Sequence, residues 1–478
     1  MGGSVLARLV VVSNRVASPK ERAAKAGGLA VALREALGTR GGLWFGWSGE
    51  TQPNPSDTPK VFRSGRVTYA LLTLDPEDQR AHYAGYANGT LWPLCHYRLG
   101  LLSFRRADWE GYRRVNEHFA RALLPLLQPD DIIWVHDYHF IPLAAELRKR
   151  GFEGRIGYFH HIPWPTPDVF LSLPSHAALV QDLSQYDLVG LQTEDDVRAL
   201  LTYISSEARG WIAPGGVVGL RERRFRVAAF PIGIDATAFV REAKASVGSD
   251  EERRLHESLA GRALAVGVDR LDYSKGLPGK FAAFGELLSR YPQHRSTVTM
   301  MQIAPVSRGE VAEYRALRRE LEELAGAING EYAEFDWVPL RYLNRPFQRA
   351  TLAAIYRTAR LGLVTPLRDG MNLVAKEYIA AQNPEDPGVL VLSRFAGAAD
   401  ELTGAILVNP YDIEGMADAM NAALLMPLDE RRERWQTNMA KVEGNTIHDW
   451  CERFIHELSG AIDHLDNPPK RAKRPRRG

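Results

Sequence analysis

The chain has 478 residues, of which 45% are hydrophobic and 25% carry a charge, and its formal net charge at pH 7 is +2. This length accommodates about two or three domains that each bury a core, with the composition of an ordinary soluble protein. The small net charge argues against a general nucleic-acid-binding protein, so no nucleic-acid partner is expected.

Cysteine usage and the apolar runs indicate the compartment. Only Cys95 and Cys451 occur, without metal-ligand spacing, so a reducing compartment fits and a disulfide framework is not expected. The N-terminus lacks a signal-peptide pattern, and no apolar run approaches the roughly 18 residues of a membrane span. We therefore expect a cytoplasmic protein with no membrane partner.

Short apolar runs alternate with segments of helical periodicity along the whole chain. The predicted strands are 9–12, 132–135, 156–159, 188–191, 227–230, 264–268, 298–303, 361–364, 389–392 and 406–408. The helical segments include 28–37, 115–127, 143–150, 311–324 and 415–425. Strands that alternate with helices in this way predict parallel sheets covered on both faces.

The number of strands exceeds one sheet, and we predict an α/β fold of two Rossmann-like, doubly wound domains facing across a cleft. The boundary is placed at residue 235, with the polar stretch 235–262 interpreted as a linker. A last helix, 449–465, is expected to pack back on the first domain, and 466–478 is expected to be a basic, disordered tail. Ligands of such folds bind at the carboxyl ends of the strands.

The first predicted strand runs into Ser13, Asn14 and Arg15. A guanidinium directly after a buried strand can clamp a phosphate with two hydrogen bonds. Gly27 and Gly28 then open a helix, where the backbone can approach a phosphate closely. Glycine before a helix is common, so this pair alone is a weak indication.

Aromatic residues follow in glycine-rich segments interpreted as loops. They are the stretch GGLWFGWSGE at 41–50, which contains Trp47, and then Tyr83 and Trp92. Such rings are typical of sugar stacking or of a rigid lid, whereas core packing is the alternative for any single one.

Two later strands end in histidine-containing turns. The strand 132–135 is followed by His136, Asp137 and His139, and the strand 156–159 by His160 and His161. A metal site is disfavoured because no third ligand group is offered at a matching strand end. We interpret Asp137 as a hydrogen-bond acceptor for sugar hydroxyls and expect the imidazoles to face the ligand.

In the second half, the strand 264–268 leads into a loop with Arg270 and Lys275. Two cations leaving one strand can meet one diphosphate, whose charge grows as it departs in a transfer reaction. Asp272 lies between them and offers the alternative of an internal ion pair that cancels the effect. Arg308 is a further candidate for a phosphate contact.

The stretch 361–377, LGLVTPLRDGMNLVAKE, reads as strand, tight turn and helix. This arrangement points free backbone N–H groups at an anion. Asp369 in the turn and Glu377 two helical turns later suit a ligand with hydroxyls and phosphates, such as a nucleotide sugar. The alternative is an ordinary N-cap and a solvated helix residue. The helix is predicted to bury an apolar face formed by Leu373, Val374 and Tyr378.

Long strings of the sequence resemble one known family. These strings are RLVVVSNR, AGGLAVAL, GGLWFGWSGE, LWPLCHYR, IIWVHDYHFIPL, RLDYSKGLP, QIAPVSRGE and TPLRDGMNLVAKEY. They resemble the trehalose-6-phosphate synthase family of retaining glycosyltransferases, glycosyltransferase family 20, whose fold is GT-B. The resemblance runs from about residue 8 to about residue 450.

The resemblance implies transfer of glucose from a nucleoside diphosphate glucose to glucose 6-phosphate, with retention of configuration and an α,α-1,1 linkage. UDP-glucose is the expected donor, and the sequence leaves the base open among UDP, GDP and ADP. No cofactor and no metal are expected. The resemblance also implies that no protein nucleophile takes part and that the departing phosphate oxygen takes the acceptor proton. A homo-oligomer is the expected state. No phosphatase signature of the type DxDx(T/V) occurs.

The resemblance also implies roles for individual residues, with 1–235 as the acceptor-binding domain and 236–448 as the nucleotide-sugar-binding domain. The acceptor phosphate is assigned to Arg15, Tyr83 and Arg308, and the acceptor pocket to Trp47, Trp92 and Asp137. The donor diphosphate is assigned to Gly27, Gly28, Arg270 and Lys275. The rest of the donor is assigned to Phe347, Asp369, Gly370, Met371, Asn372, Leu373, Val374 and Glu377, the last through the ribose. The catalytic set is Arg270, Lys275, Asp369 and His161, with His161 near the anomeric carbon.

Two positions depart from the family pattern, and two other functions compete. His160 stands where an aliphatic residue is usual, and Trp164 where Phe is usual. A glucosylglycerol-phosphate synthase would share the donor half of the site. A non-catalytic subunit that senses sugar phosphates should have lost Arg270, Lys275 or Asp369, and all three are present.

Overall fold

The computed structural model describes residues 7–16, 33–34, 37–38, 40–306 and 312–466. Contacts divide the chain into two compact units. The described residues up to Pro231 and from Trp450 onward belong to unit 1, and Ile232 to Asp449 belong to unit 2. The domain limits predicted from the sequence remain predictions.

Unit 1 contains a ten-stranded sheet in the order β3-β4-β2-β1-β5-β6-β7-β10-β9-β8. Its strands are β1 (Leu9–Arg15), β2 (Gly42–Thr51), β3 (Lys60–Ser64), β4 (Val67–Leu74), β5 (Ile132–His136), β6 (Arg155–Phe159), β7 (Leu188–Leu191), β8 (Trp211–Ala213), β9 (Val217–Leu220) and β10 (Arg223–Ala229). The strands from β4 to β10 in this order pair in parallel, and the outer strands β3, β9 and β8 pair antiparallel.

Helices connect the strands of unit 1. They are α1 (Pro76–Gln79), α2 (Trp92–Cys95), α3 (Arg106–Leu123), α4 (Leu143–Lys149), α5 (Pro167–Phe170), α6 (His176–Leu183) and α7 (Glu194–Ser206). The segment Arg80–Leu91, between α1 and α2, has the wide turns of a π-helix, a geometry that is frequent at functional sites. The central strands are buried along their whole length, as continuous apolar runs in a parallel sheet require.

Unit 2 contains a six-stranded, fully parallel sheet in the order β13-β12-β11-β14-β15-β16. Its strands are β11 (Ala263–Val268), β12 (Val298–Ile303), β13 (Leu340–Leu343), β14 (Leu361–Val364), β15 (Val389–Ser393) and β16 (Ile406–Val408). Counted within the unit, this is the order 3-2-1-4-5-6 of a doubly wound nucleotide-binding sheet. The order reverses between β11 and β14, which are neighbours.

The helices of unit 2 cover its sheet and carry the chain back to unit 1. They are α8 (Ala236–Ala245), α9 (Asp250–Leu259), α10 (Leu277–Arg290), α11 (Ala312–Tyr332), α12 (Arg349–Thr358), α13 (Leu373–Ala381), α14 (Ile413–Leu425) and α15 (Leu428–Gly444). A last helix, α16 (Ile447–Asp466), begins in unit 2 and lies mostly in unit 1. Phe281 and Phe284 of α10 pack with Leu363 of β14 and Val391 of β15 in one buried cluster. From Trp450 onward α16 belongs to unit 1, where the Trp450 ring lies 4.7 Å from that of Trp134.

The predicted two-sheet α/β architecture is confirmed, since all the predicted strands occur. The predicted linker 235–262 is wrong, because it contains α8 and α9. Asp235 and Ser249 cap these helices by accepting hydrogen bonds from Ala238 N and Glu252 N, and buried Phe239 anchors the first of them. The polar composition of 235–262 thus comes from the exposed faces of two amphipathic helices and not from a linker.

The glycine-rich segment 41–50 is also not a loop. It forms β2, whose partner β1 lies so close that a Cβ at Gly46 would lie 2.1 Å from the Ser13 carbonyl oxygen. Tyr83 and Trp92 lie in helical segments rather than in loops. Glycine in β2 permits the close approach of neighbouring strands. A glycine-rich strand of this kind has the same composition as a glycine-rich loop, so composition alone did not distinguish them.

Among the helices of the described residues, none is long and apolar enough to cross a membrane.

Candidate active site

The carboxyl ends of β11 and β14 bring together the most informative residues of unit 2. The loop after β11 carries Arg270 and Lys275, and the loop after β14 carries Asp369. Because the strand order reverses between these two strands, a crevice for a ligand opens at this point in doubly wound folds. The predicted donor-binding residues therefore lie where the topology favours a nucleotide.

The start of the β11 loop is fixed by a buried polar triad. Lys280 Nζ, fully buried, lies 2.6 Å from Asp269 Oδ2 and 3.2 Å from Gln302 Oε1. Gln302 Nε2 in turn donates to the same Asp269 oxygen at 3.2 Å. The hydrogen bonds of Gln302 to both groups support this buried charge pair and fix its geometry. Asp269 is therefore fixed in position, and this fixes the direction of the backbone at the next residue, Arg270.

The two predicted phosphate-binding cations have different surroundings. Lys275 Nζ contacts Asp369 Oδ2 directly. Arg270 is half exposed, and its guanidinium is 4.0 Å from Asp272 Oδ2. Asp272 is fully buried and accepts hydrogen bonds from Ser274 N and Oγ at 3.0 Å. The alternative that Asp272 pairs with one of the cations is therefore present at Arg270, whereas Lys275 pairs with Asp369. Asp272 also organises its own loop.

The turn between β14 and α13 is tied to both neighbouring loops by backbone hydrogen bonds. Leu367 N donates to Ser274 O at 2.8 Å, and Asp369 N donates to Phe395 O at 3.1 Å. Gly276, with φ of +65°, approaches the turn so closely that a Cβ there would lie 2.5 Å from the Thr365 carbonyl oxygen. The turn consequently has little freedom, and Asp369 is presented in one orientation.

Helix α13 begins with backbone N–H groups that the side chain of its N-cap residue does not cap. Its N-cap residue, Asn372, has a left-handed φ of 80°, and its Nδ2 donates to Asp369 Oδ2 at 3.0 Å. A non-glycine residue in this conformation is strained, which is typical of functional turns. Buried Met371 holds the turn by accepting a hydrogen bond from Ala398 N at 2.8 Å. An uncapped helix start beside a cation suits an anion.

One face of α13 is partly exposed, and it consists of the three residues assigned to the nucleoside: Leu373, Val374 and Glu377. Burial raises the pKa of Glu377 to about 7, with a nearby Glu242 adding to the rise and Arg349 opposing it. The predicted apolar face is wrong in part, because only Tyr378 is buried. Two partly exposed apolar side chains can pack against the base or the ribose of a nucleoside.

The opposite face of α13 is anchored by a buried lysine. Lys376 Nζ donates to the Ile232 carbonyl oxygen at 2.7 Å and to Glu401 Oε2 at 2.5 Å. Asn445 Nδ2 completes the site by donating to Glu401 Oε1 at 2.9 Å. The helix that carries Glu377 is thereby fixed along its length.

In unit 1, Arg15 is exposed at the end of β1, beside Trp47 of β2. The guanidinium lies over Gly49, where an added Cβ would be 3.3 Å from Arg15 Cζ. Trp47 is partly buried and donates from Nε1 to Glu50 O at 2.7 Å. An exposed guanidinium beside a fixed aromatic ring can receive the phosphate of a sugar phosphate.

The other predicted aromatic residues differ in accessibility. The ring of Tyr83, partly exposed, stacks on His139 with a centroid separation of 5.8 Å. Trp92 is only 5% exposed and packs against His96 at 4.1 Å and against Tyr138 at 5.8 Å. Tyr83 is therefore accessible to a ligand, whereas Trp92 lies beneath the surface.

Asp137 and His161 follow the neighbouring strands β5 and β6. Asp137 has a left-handed φ of 75°, and its Oδ1 accepts a hydrogen bond from His161 N at 3.2 Å. The His161 ring is partly buried, and its Nε2 lies 3.1 Å from Nδ1 of His136. Desolvation, with a contribution from His160, lowers the pKa of His161 to about 3, so the ring is neutral.

His160 does not face a ligand as expected. It is 1% exposed, its Nδ1 lies 2.9 Å from Tyr158 Oη, and its ring packs edge-on against buried Trp164 at 5.1 Å. The two departures from the family pattern thus form one internal contact, in which a larger ring fills the space beside a polar one. No group of three or more potential metal ligands occurs among the described residues.

Gly27, Gly28 and Arg308 lie outside the described residues. Phe347 is partly exposed just before α12, with the Arg345 guanidinium 4.9 Å from its ring centroid. Gly370 is buried in the β14–α13 turn.

The residues that support the site, above all Lys280 and Lys376, were not predicted from the sequence. A signal was present, because each is a single lysine within an apolar helical stretch, LPGKFAAFGELL and LVAKEYIAA. Lysine is almost never fully buried unless it is paired. Such a position indicates a buried ion pair, although the sequence does not name the partner.

Comparison with known proteins agrees with this geometry. The family model of glycosyltransferase family 20 matches residues 6–460. The trehalose-6-phosphate synthase of Sinorhizobium fredii is 50% identical over 461 residues, covering 96% of this chain and 99% of that protein.

Solved structures give the same result. An α,α-trehalose-phosphate synthase (UDP-forming) from Burkholderia xenovorans, in complex with glucose-6-phosphate, is 48% identical, with a TM-score of 0.91 and coverage of 95% of this chain and 100% of that chain. An E. coli structure bound with UDP-2-fluoro glucose is also 48% identical, with a TM-score of 0.90 and coverage of 95% and 99%. The chain belongs to glycosyltransferase family 20.

Proposed function

We propose that this protein is a trehalose-6-phosphate synthase that transfers glucose from UDP-glucose to glucose 6-phosphate with retention of configuration. The observation that carries this proposal is the grouping of Arg270, Lys275 and Asp369 at the switch point of the unit 2 sheet, beside an uncapped helix start. This set can hold a diphosphate and a sugar at once. The 50% sequence identity to a trehalose-6-phosphate synthase over 96% of this chain supports the proposal.

On the donor side, Arg270 and Lys275 bind the diphosphate and stabilise the charge that grows on it as the C1–O bond breaks. Asp369 and the backbone of 370–373 bind the glucose hydroxyls. The exposed face of α13 binds the nucleoside, with Glu377 accepting hydrogen bonds from the ribose. The support for these roles is the geometry of the loops and the helix in unit 2.

On the acceptor side, Arg15 and Tyr83 bind the phosphate of glucose 6-phosphate, with Arg308 as a third contact. Trp47 and Asp137 shape the sugar pocket, and Trp92 supports it from behind. The exposure of Arg15 and Tyr83 favours these roles. Both are held by aromatic or backbone neighbours, so little freedom is lost on binding.

The chemistry uses no protein nucleophile. The hydroxyl oxygen of the acceptor forms the new bond to C1 on the face from which UDP departs, and its proton passes to the departing phosphate oxygen. The neutral state of His161 is consistent with a positioning role. The protein therefore contributes mainly orientation and fixed charge, which are sufficient for large rate effects.

Location and assembly complete the proposal. We expect the enzyme to act in the cytoplasm, where nucleotide sugars and sugar phosphates are available, and to form a homo-oligomer. Size-exclusion chromatography with light scattering tests the second point directly.

The deciding experiment measures nucleoside diphosphate release from UDP-, GDP- and ADP-glucose, each with glucose 6-phosphate or glycerol 3-phosphate. Product linkage is determined by NMR. We expect release with UDP-glucose and glucose 6-phosphate and an α,α-1,1-linked disaccharide phosphate. The Lys275→Ala variant, which loses one diphosphate contact, serves as the matched control for contaminating activity.

Other outcomes would change the assignment. Release with glycerol 3-phosphate alone would identify a glucosylglycerol-phosphate synthase. Binding of glucose 6-phosphate by the folded protein without release from any donor would identify a sugar-phosphate sensor.

A further inference from the structure

A buried histidine, His136, is in direct contact with the proposed ligand-facing His161. The Nδ1 atom of His136 lies 3.1 Å from Nε2 of His161, and the ring centroids are 5.3 Å apart. His136 is fully buried at the end of β5. The family resemblance gave no role to this residue, and the proposed chemistry does not use it.

Two neutral imidazoles at this distance share one proton between the facing nitrogens. Burial lowers the pKa values of both rings, that of His136 well below its usual range, so neither carries a charge. In one arrangement His136 Nδ1–H donates to His161 Nε2, and His161 then carries its own proton on Nδ1. In the other, His161 Nε2–H donates, and His136 carries its proton on Nε2.

The surroundings of His136 Nε2 distinguish these arrangements. This atom is buried and has no hydrogen-bond partner among the described residues. The nearest rings include Trp134 at 4.5 Å and Trp450 at 6.1 Å, and the indole N–H of each is likewise buried without a partner there. A proton on His136 Nε2 would add a third unsatisfied donor to this cluster. A lone pair on that atom adds no donor, and a buried acceptor without a partner is more readily accommodated than a buried N–H group without one.

We propose that His136 is a positioning residue that holds His161 in the tautomer protonated on Nδ1, so that His161 presents a hydrogen-bond donor, not a base, to the donor substrate. The ligand group that this donor recognises is a hydroxyl or phosphate oxygen. His161 Nε2 is occupied by His136, so neither of its nitrogens can accept the proton of the acceptor hydroxyl. The inference rests on the proposed function for the identity of the ligand, and on the histidine pair for the tautomer.

The direct test is the tautomeric state of His161, read from the nitrogen shifts of protein labelled with ¹⁵N-histidine. The chain has 13 histidines, and the signals that disappear in His161→Gln identify the residue. We expect the proton on Nδ1 in the ligand-free enzyme. A proton on Nε2 of His161 would overturn the inference, whatever the enzyme activity.

Two variants of His136 separate its hydrogen bond from its packing. His136→Phe keeps an aromatic ring against Trp134 but removes the Nδ1–H group, so His161 should shift toward the Nε2–H tautomer. The kcat/KM for UDP-glucose should fall about tenfold, the effect of one hydrogen bond. His136→Asn places an amide near the position of Nδ1 and should restore most of the tautomer and of kcat/KM. Equal spectra and kinetics for both variants would refute the role.

His82→Phe is the matched control. His82 is another fully buried histidine of unit 1, and its ring packs on Tyr112, His139 and Phe140. Its replacement should leave the His161 spectrum unchanged, because it takes no part in the pair. An Nδ1–H signal from a protein without transferase activity would refute the proposed function while leaving the tautomer assignment intact.

Discussion

Glu377 combines a cost to stability with a proposed role in nucleotide binding, which makes Glu377→Gln an informative change. Its pKa is raised from 4.5 to about 7, chiefly by burial. A carboxyl with a raised pKa in the folded state destabilises the protein when it ionises. The cost is absent below about pH 4.5, grows as the pH rises toward 7, and is complete above that value.

The size of this effect follows from the pKa. A shift of one pKa unit is equivalent to about 1.4 kcal/mol of free energy. The raised pKa of Glu377 therefore lowers the free energy of unfolding by at most about 3 kcal/mol at pH 8. Because the side chain is partly exposed, water screens its charge, and we expect a gain of about 1–2 kcal/mol for Glu377→Gln. At pH 5 the gain should shrink toward zero, since most of the carboxyl is already protonated in the folded state.

The assay measures urea unfolding by hydrogen exchange of peptides from unit 2, at pH 5 and pH 8. Glu443→Gln, which removes an exposed carboxylate from α15, is the control and should show no such dependence on pH. UDP affinity, measured by calorimetry, should fall at least about tenfold in Glu377→Gln, because hydrogen bonds to a charged acceptor are lost. A variant that gains no stability at pH 8, or that binds UDP as tightly as the wild type, would refute the reasoning.

Three further predictions concern the cations. Arg270→Ala should lower kcat about 100-fold with little change in the KM for glucose 6-phosphate, because a contact worth about 3 kcal/mol acts on the departing diphosphate; a normal kcat in steady-state assays would contradict this. Arg15→Ala should raise the KM for glucose 6-phosphate and leave that for UDP-glucose unchanged; the reverse pattern would move Arg15 to the donor. Lys280→Met should destabilise unit 2 by about 3–5 kcal/mol in urea unfolding, because Asp269 is left buried without its cation. The double variant Asp269→Leu with Lys280→Met should recover most of this loss of stability. No recovery would show that packing, and not the unpaired charge, dominates.

The fold was predictable because its signal is local and repeated. Most of the buried parallel strands are short apolar runs between polar turns, as at 361–364, and no long-range information is needed to find them. Some of the strands that were missed carry a different pattern, whereas β9 is a short buried apolar run that was overlooked. β2 is rich in glycine and β8 is largely exposed, so neither resembles a buried apolar run.

The site was predictable only as far as residues lie directly after strands. Arg270 and Asp369 are found in this way because strand ends converge in a parallel sheet. Lys376 and Glu401 are separated along the chain and meet only through tertiary packing, so no spacing in the sequence indicates their 2.5 Å contact. The burial of His160 is likewise a property of its neighbours on the folded sheet.

We expect the donor to enter the site by an exchange of hydrogen-bond partners. Lys275 and the Asn372 amide both contact Asp369, so the carboxylate that is proposed to bind sugar hydroxyls is already hydrogen-bonded and oriented. A diphosphate offers Lys275 a stronger partner, and the sugar hydroxyls can replace the lysine at Asp369. Each group thus exchanges one hydrogen-bond partner for another and avoids a costly unpaired state. Because the turn is fixed by backbone hydrogen bonds, little reorganisation accompanies the exchange, and more of the binding energy remains for the transition state.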